Sequence, residues 1–216
     1  MDSLHLCLAM GPLGVYLLVL GAINLMGSPL VTTGARDMGA LGIGLSGFIL
    51  AGPMELFLPE AAVNRFGPFV WILILALYMM CLTLLVLVIR PRLVIYNITL
   101  NQLRSVLAEL AGRIDTEARW AGDSLVLPQL GVQLHLDYFR AMRNISLVSS
   151  GPRQHLEGWR RLETSLVSEL RKIGVSRNPR GYTMVVLAVV IFVGLTYSLL
   201  SDPVAIAQEL KTMFRL

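Results

Sequence analysis

Charge is missing from long stretches of this sequence. Four runs, residues 6–26, 38–54, 66–89 and 182–200, hold no formal charge in their central stretches. A bilayer core takes about 20 apolar residues at the helical rise, so three runs are long enough to cross it and the second is short by a turn. The hydrophobic fraction is 55%, above the roughly 45–50% of soluble domains. A chain of 216 residues with that much apolar sequence has room for one small water-facing unit.

Lysine is almost absent: Lys172 and Lys211 are the only two, and arginine supplies the remaining basic charge. High arginine with low lysine points to a GC-rich bacterial genome. Cysteine is scarce as well. Cys7 and Cys81 fall within or beside apolar runs, which excludes a disulfide framework and makes both thiols small packing residues. The first residues, Met1-Asp2-Ser3-Leu4-His5, lack the positive stretch that opens a secretory signal. No cysteine follows the first run where a lipoprotein signal would place one. That run is therefore expected to remain as a span.

Chemistry-bearing motifs are missing too. There is no phosphate-binding loop, dinucleotide fingerprint, CxxC, HExxH or GxSxG. No metal site, cofactor or catalytic cluster is expected. No run carries a row of charges, a repeated histidine or paired carboxylates, as an ion-coupled transporter of this size should.

What the sequence does have is a patterned segment, residues 90–181, with 14 of the 18 Lys and Arg and eight of the 14 Asp and Glu. Residues 93–98 read as a strand, with β-branched Val94, Ile95 and Ile98. Thr99 and Gln102 form a capping box, and Leu103, Val106, Leu107, Leu110 and Ile114 give the stripe of an amphipathic helix. Residues 117–121 and 124–127 flank Gly122-Asp123 as a hairpin. In residues 132–137, Val132, Leu134 and Leu136 alternate with Gln133, His135 and Asp137, and residues 144–148 make a further strand. Leu156, Trp159, Leu162, Leu166, Leu170 and Ile173 mark a second helix, ended by Gly174. Trp159 sits on that stripe and is expected in the core. The order is β-α-β-β-β-β-α, an α+β plait, loosely ferredoxin-like, with both helices on one face of an antiparallel sheet.

The expected molecule is an α-helical integral membrane protein with four transmembrane helices. Residues 1–89 hold three of them, residues 90–181 form the inserted α+β domain, and residues 182–200 are the fourth. Residues 201–216 form an amphipathic interfacial helix, opened by the capping pair Asp202-Pro203. Basic flanks set the topology: Arg90, Arg92, Arg171, Lys172, Arg177 and Arg180 border the α+β domain. The positive-inside bias then places that domain in the cytoplasm and both termini outside, in a bacterial inner membrane.

Candidate site residues are few. Glu55 lies just past Gly52-Pro53, the expected end of the second span, where it is either interfacial or a buried proton or ion site. Gly39, Gly42, Gly44 and Gly47 are expected to form a helix-packing seam. Asn24, near the end of the first span, is read as an interfacial or interhelical hydrogen bonder. His135 and Asp137 share a strand face, where a carboxylate could orient an imidazole. Arg140, Arg143, Arg153, Arg160 and Arg161 cluster in sequence around Tyr138, Phe139 and Trp159. Such a cluster binds phosphate or single-stranded nucleic acid in soluble proteins. A membrane tether favours anionic lipid headgroups over nucleic acid. Expected partners are the lipid bilayer, those headgroups, and a second copy or a membrane-complex subunit. Two functions fit: a non-enzymatic scaffold, sensor or complex subunit with a cytoplasmic domain, or a small transporter or channel subunit using the glycine-rich second span and Glu55.

Overall fold

The computed structural model describes residues 3–52, 67, 69–152 and 154–201. The elements run α1 (Ser3–Leu25), β1 (Leu30–Thr33), α2 (Gly34–Ala51), α3 (Phe69–Val88), β2 (Arg92–Tyr96), α4 (Leu100–Ile114), β3 (Arg119–Ala121), β4 (Ser124–Leu127), β5 (Val132–Phe139), a 3-10 turn (Arg140–Met142), β6 (Asn144–Ser149), α5 (Leu156–Leu170) and α6 (Arg180–Ser201). They fall into two compact units. One is built from residues 21–37 and 89–182, the other from residues 1–20, 38–88 and 183–216.

The first unit is a six-stranded antiparallel sheet in the order β1-β2-β6-β5-β4-β3. Thr99 caps α4 as its sequence implies: its backbone N–H and its hydroxyl both donate to Gln102 Oε1, at 3.3 and 2.8 Å. The β3–β4 hairpin turns on Gly122-Asp123, with Ala121 opposite Ser124. Gly122 sits at φ +62, a left-handed conformation that glycine adopts at no steric cost. Alternation along β5 buries Val132, Leu134 and Leu136 and leaves His135 and Asp137 on the opposite, exposed face. The inward rows of β2, β4, β5 and β6 pack against Leu103, Leu107 and Leu110 of α4 and Trp159, Leu162, Leu166 and Leu170 of α5. Trp159 is buried, and its indole N–H donates to Gln154 Oε1 at 2.9 Å. A buried indole keeps its stability only with such a partner.

The second unit packs helices on glycine. Tyr16 lies where a side chain on Gly44 would go, the Leu82 side chain fills the space at Gly42, and the Leu8 and Ala9 carbonyls press on Gly47. Tyr78 donates its hydroxyl proton to the Gly42 carbonyl at 2.6 Å. A Cβ on Gly14 of α1 would stand 3.1 Å from the Phe192 ring of α6.

Three expectations need correction. Four transmembrane helices are not supported. Among the described residues, two helices are long and apolar enough to cross a membrane, His5–Leu25 and Arg180–Ser201. The second run fails because its helix starts at Gly34, upstream of the apolar residues, and takes Arg36 and Asp37 into its first turns. Among the described residues, the third run gives the shorter apolar helix Ile72–Val88. The α+β unit is also not a ferredoxin-like plait. That plait interleaves two β-α-β units, whereas here α4 carries the chain to the far edge, and β3, β4, β5 and β6 return as one meander to β2. Finally, the sheet has a strand that the sequence does not announce: β1 pairs with β2, Leu30 opposite Tyr96 and Thr33 opposite Leu93. The interfacial helix expected over residues 201–216 lies outside the described residues, apart from Ser201.

Candidate functional site

The most constrained polar chemistry sits inside the sheet unit, where α1 ends and α6 begins. Asn24, in the last turn of α1, is 0% exposed, and Asn178, two residues before α6, is 3% exposed. Asn178 Nδ2 donates to Asn24 Oδ1 at 3.0 Å and to the Met142 carbonyl at 3.2 Å. Asn178 Oδ1 accepts from the Arg180 backbone N–H at 3.2 Å, which caps the first turn of α6. The Asn178 backbone N–H reaches the Asn24 carbonyl at 3.0 Å, and Val175 N–H reaches the Gly27 carbonyl at 2.9 Å. Both donors and the acceptor of this buried amide are thereby used.

A third asparagine closes the joint. Asn97 follows β2 at φ 58, a left-handed conformation that asparagine tolerates better than most residues. Its Nδ2 donates to the Met26 carbonyl at 2.7 Å. Arg143, also left-handed at φ 52, donates through Nη1 to the Ser176 carbonyl and hydroxyl, each at 3.1 Å. Ile98 N–H in turn bonds the Arg143 carbonyl at 3.1 Å. Gly181 lets the backbones close up: a Cβ there would stand 2.8 Å from Leu25 Cγ and 3.0 Å from the Gly21 carbonyl. The end of α1, the end of β2, the β5–β6 turn and the start of α6 are thus held to one another by amide and guanidinium hydrogen bonds.

A second polar set ties the β1–α2 corner to β2. Tyr96 donates its hydroxyl proton to Asp37 Oδ1, and Arg92 Nη2 stands 3.6 Å from Asp37 Oδ2. Gly34 is required at this corner because the Arg92 side chain occupies the space a Cβ would take.

The residues singled out in the sequence scatter over the molecule. Glu55 lies outside the described residues, as does Arg153. Ser124 Oγ is 3.1 Å from His135 Nδ1, on the open sheet face. Asp137 is exposed on the same face, opposite Ser146, and among the described residues no hydrogen bond joins it to His135. Activating a serine needs a base held in place by a third group, and among the described residues no such group is hydrogen-bonded to this His135 ring. Arg140 is exposed in the 3-10 turn and Arg143 is engaged in the joint. Arg160 and Arg161 lie apart from them, on α5. Arg161 borders a shallow cleft of 330 Å³ with Gly131, His155 and Glu157. Gly42, Gly44 and Gly47 stand at close helix approaches, whereas Gly39 has nothing within 4 Å. Among the described residues, no three His, Cys, Asp or Glu side chains converge as a metal site would need.

The charges on the helix face are locally paired. Glu169 accepts from Lys172 Nζ at 3.1 Å and lies 3.0 Å from Arg113 Nη2. The Lys172 hydrogen bond, the largest influence, and Arg113 together hold its carboxyl below the usual glutamate range against the opposing push of burial, which ranks second. Arg104 pairs with Asp123 at the β3–β4 turn.

No family model matches the chain, and neither a curated protein nor a solved structure is found that resembles it.

Proposed function

We propose that this chain is an integral membrane protein anchored by α1 and α6, with the sheet unit as a cytoplasmic platform for a membrane complex. The observation that carries the reading is the exposure of both helices. Their apolar windows are only 17% and 11% buried, whereas the core helix of a soluble protein is buried on its apolar side. Val186, Val190, Val193 and Tyr197 of α6 are each at least 60% exposed, which suits hydrocarbon as the solvent.

The asparagine joint supports a shared side. The last turn of α1 and the start of α6 meet at Asn24 and Asn178, so two spans leaving this joint cross in opposite directions. Arg177 and Arg180 stand at that end, which favours the cytoplasm. The far ends of both helices then face outward, into the periplasm of a bacterial inner membrane. The role proposed is non-enzymatic: a scaffold, sensor or complex subunit, working with a second copy or a different membrane protein. The alternative, a transporter or channel subunit, rests on Glu55 and the glycine-rich helix. Gly42, Gly44 and Gly47 are taken up by neighbouring chain atoms, which favours a packing seam over a path.

The test is isolation from membranes in mild detergent, followed by mass determination of what co-elutes. A stoichiometric complex is expected. A monomer with no co-eluting protein, active in ion or solute flux when reconstituted, would contradict the platform and support the alternative.

A further inference from the structure

We infer that the β5–β6 turn and the start of α6 form a binding site for anionic phospholipid headgroups, a proposal that rests on α6 being a membrane span. Arg180 is the first residue of α6, and Tyr182, 54% exposed, lies in its first turn. An aromatic and an arginine at the first turn of a span mark headgroup level. The β5–β6 turn is fastened at that depth, because the Met142 carbonyl accepts from Asn178, two residues before Arg180. Arg143 fastens it a second time, through Ser176.

That anchoring fixes what the turn presents. Phe139 is 61% exposed, a large apolar side chain with no cover inside the unit. Arg140, next to it, is exposed, and Arg177 is exposed on the facing segment. Arg143 uses one terminal nitrogen on Ser176 and keeps further donors. An exposed aromatic ring with the exposed guanidinium groups of Arg140 and Arg177 and the remaining donors of Arg143 matches a lipid phosphate above an acyl chain: arginine forks onto phosphate oxygens, and the ring enters the acyl boundary. Asp137, two residues before Phe139 on β5, is the acidic group nearest in sequence. Arg160 and Arg161 sit on α5 and take no part.

The experiment uses the full chain in phosphatidylcholine vesicles with trace spin-labelled phosphatidylglycerol or spin-labelled phosphatidylcholine. Electron paramagnetic resonance reads the fraction of each probe held motionally restricted by protein. The anionic probe should be preferred, with each well-placed arginine contributing up to about five-fold. Arg140→Gln with Arg177→Gln should bring the preference close to one, whereas Arg160→Gln with Arg161→Gln should leave it unchanged. In the parent protein the preference should also fall as salt rises, which needs no variant. Equal restriction of both probes, or equal loss in the two double variants, overturns the site while leaving the spans intact. A chain that restricts neither probe is not in the bilayer, and that overturns both the site and the membrane reading.

Discussion

Asn178 uses its whole side chain in hydrogen bonds inside a nearly dry joint. Removing it withdraws the amide donor from Asn24 Oδ1 and from the Met142 carbonyl, a loss of about 1–3 kcal/mol for breaking hydrogen bonds in a buried site. Asn178→Ala should therefore lower unfolding stability in detergent by that order. The Asn24→Ala/Asn178→Ala cycle should show a coupling of roughly 0.5–3 kcal/mol; additive losses would mean the two amides act separately. Trp159→Ala should cost about 3–5 kcal/mol in the same denaturant titration, because it empties a large core site and removes the indole hydrogen bond to Gln154. Glu169 gives a pH signature. Its carboxyl is held low in the folded state, so its stabilising contribution is present above the unfolded carboxyl pKa and is lost as pH falls through the folded value. Parent and Glu169→Gln should differ in melting temperature at neutral pH and converge in acid; a constant gap would show that the ion pairs do not contribute. Trp159 is legible in sequence because its stripe is local. Asn97 and Asn178 are not, since their partners Met26 and Asn24 lie 71 and 154 residues away, and nothing near an isolated asparagine reports such an approach.

At the scale of elements, periodicity and capping reveal α4, α5 and the β3–β6 meander, because each pattern spans several residues of one segment. β1 escapes notice. It is four residues, Leu30–Thr33, enclosed by Pro29 and Gly34, and its β-branched Val31, Thr32 and Thr33 are the only hint. The second apolar run misleads for a different reason. A hydropathy run records where charges stop, whereas a helix starts where its backbone can, and α2 starts before Arg36 and Asp37. The glycines of α2 are not equivalent, and this gives a sharp expectation. A Cβ on Gly47 meets the Leu8 and Ala9 carbonyls, which are backbone and cannot rotate away. Gly47→Ala should therefore destabilise by about 1–3 kcal/mol. Gly44→Ala meets only the Tyr16 side chain and should be milder than Gly44→Leu. Gly39→Ala, with open space around it, should be neutral or slightly stabilising, since alanine is the better helix former. Thermal unfolding in detergent ranks the three; a Gly39→Ala loss equal to that of Gly47→Ala would contradict the packing described.

At the scale of the whole molecule, the segment of residues 90–181 does not fold as a closed insert. The sheet unit also takes residues 21–37, including strand β1 and the buried Asn24. Reading the segment alone from sequence misses this, because its recruited part lies before two apolar runs. The central claim is that α1 and α6 cross a membrane with the sheet unit on the cytoplasmic side. It is tested most directly by labelling one cysteine, Glu117→Cys, in a chain carrying Cys7→Ala and Cys81→Ala, expressed in bacterial cells. Glu117 is exposed, just before β3. The account predicts a protein that stays in the membrane after an alkaline carbonate wash and reacts with an impermeant maleimide only once the cells are lysed. Release by the wash, or labelling of sealed cells, would contradict it.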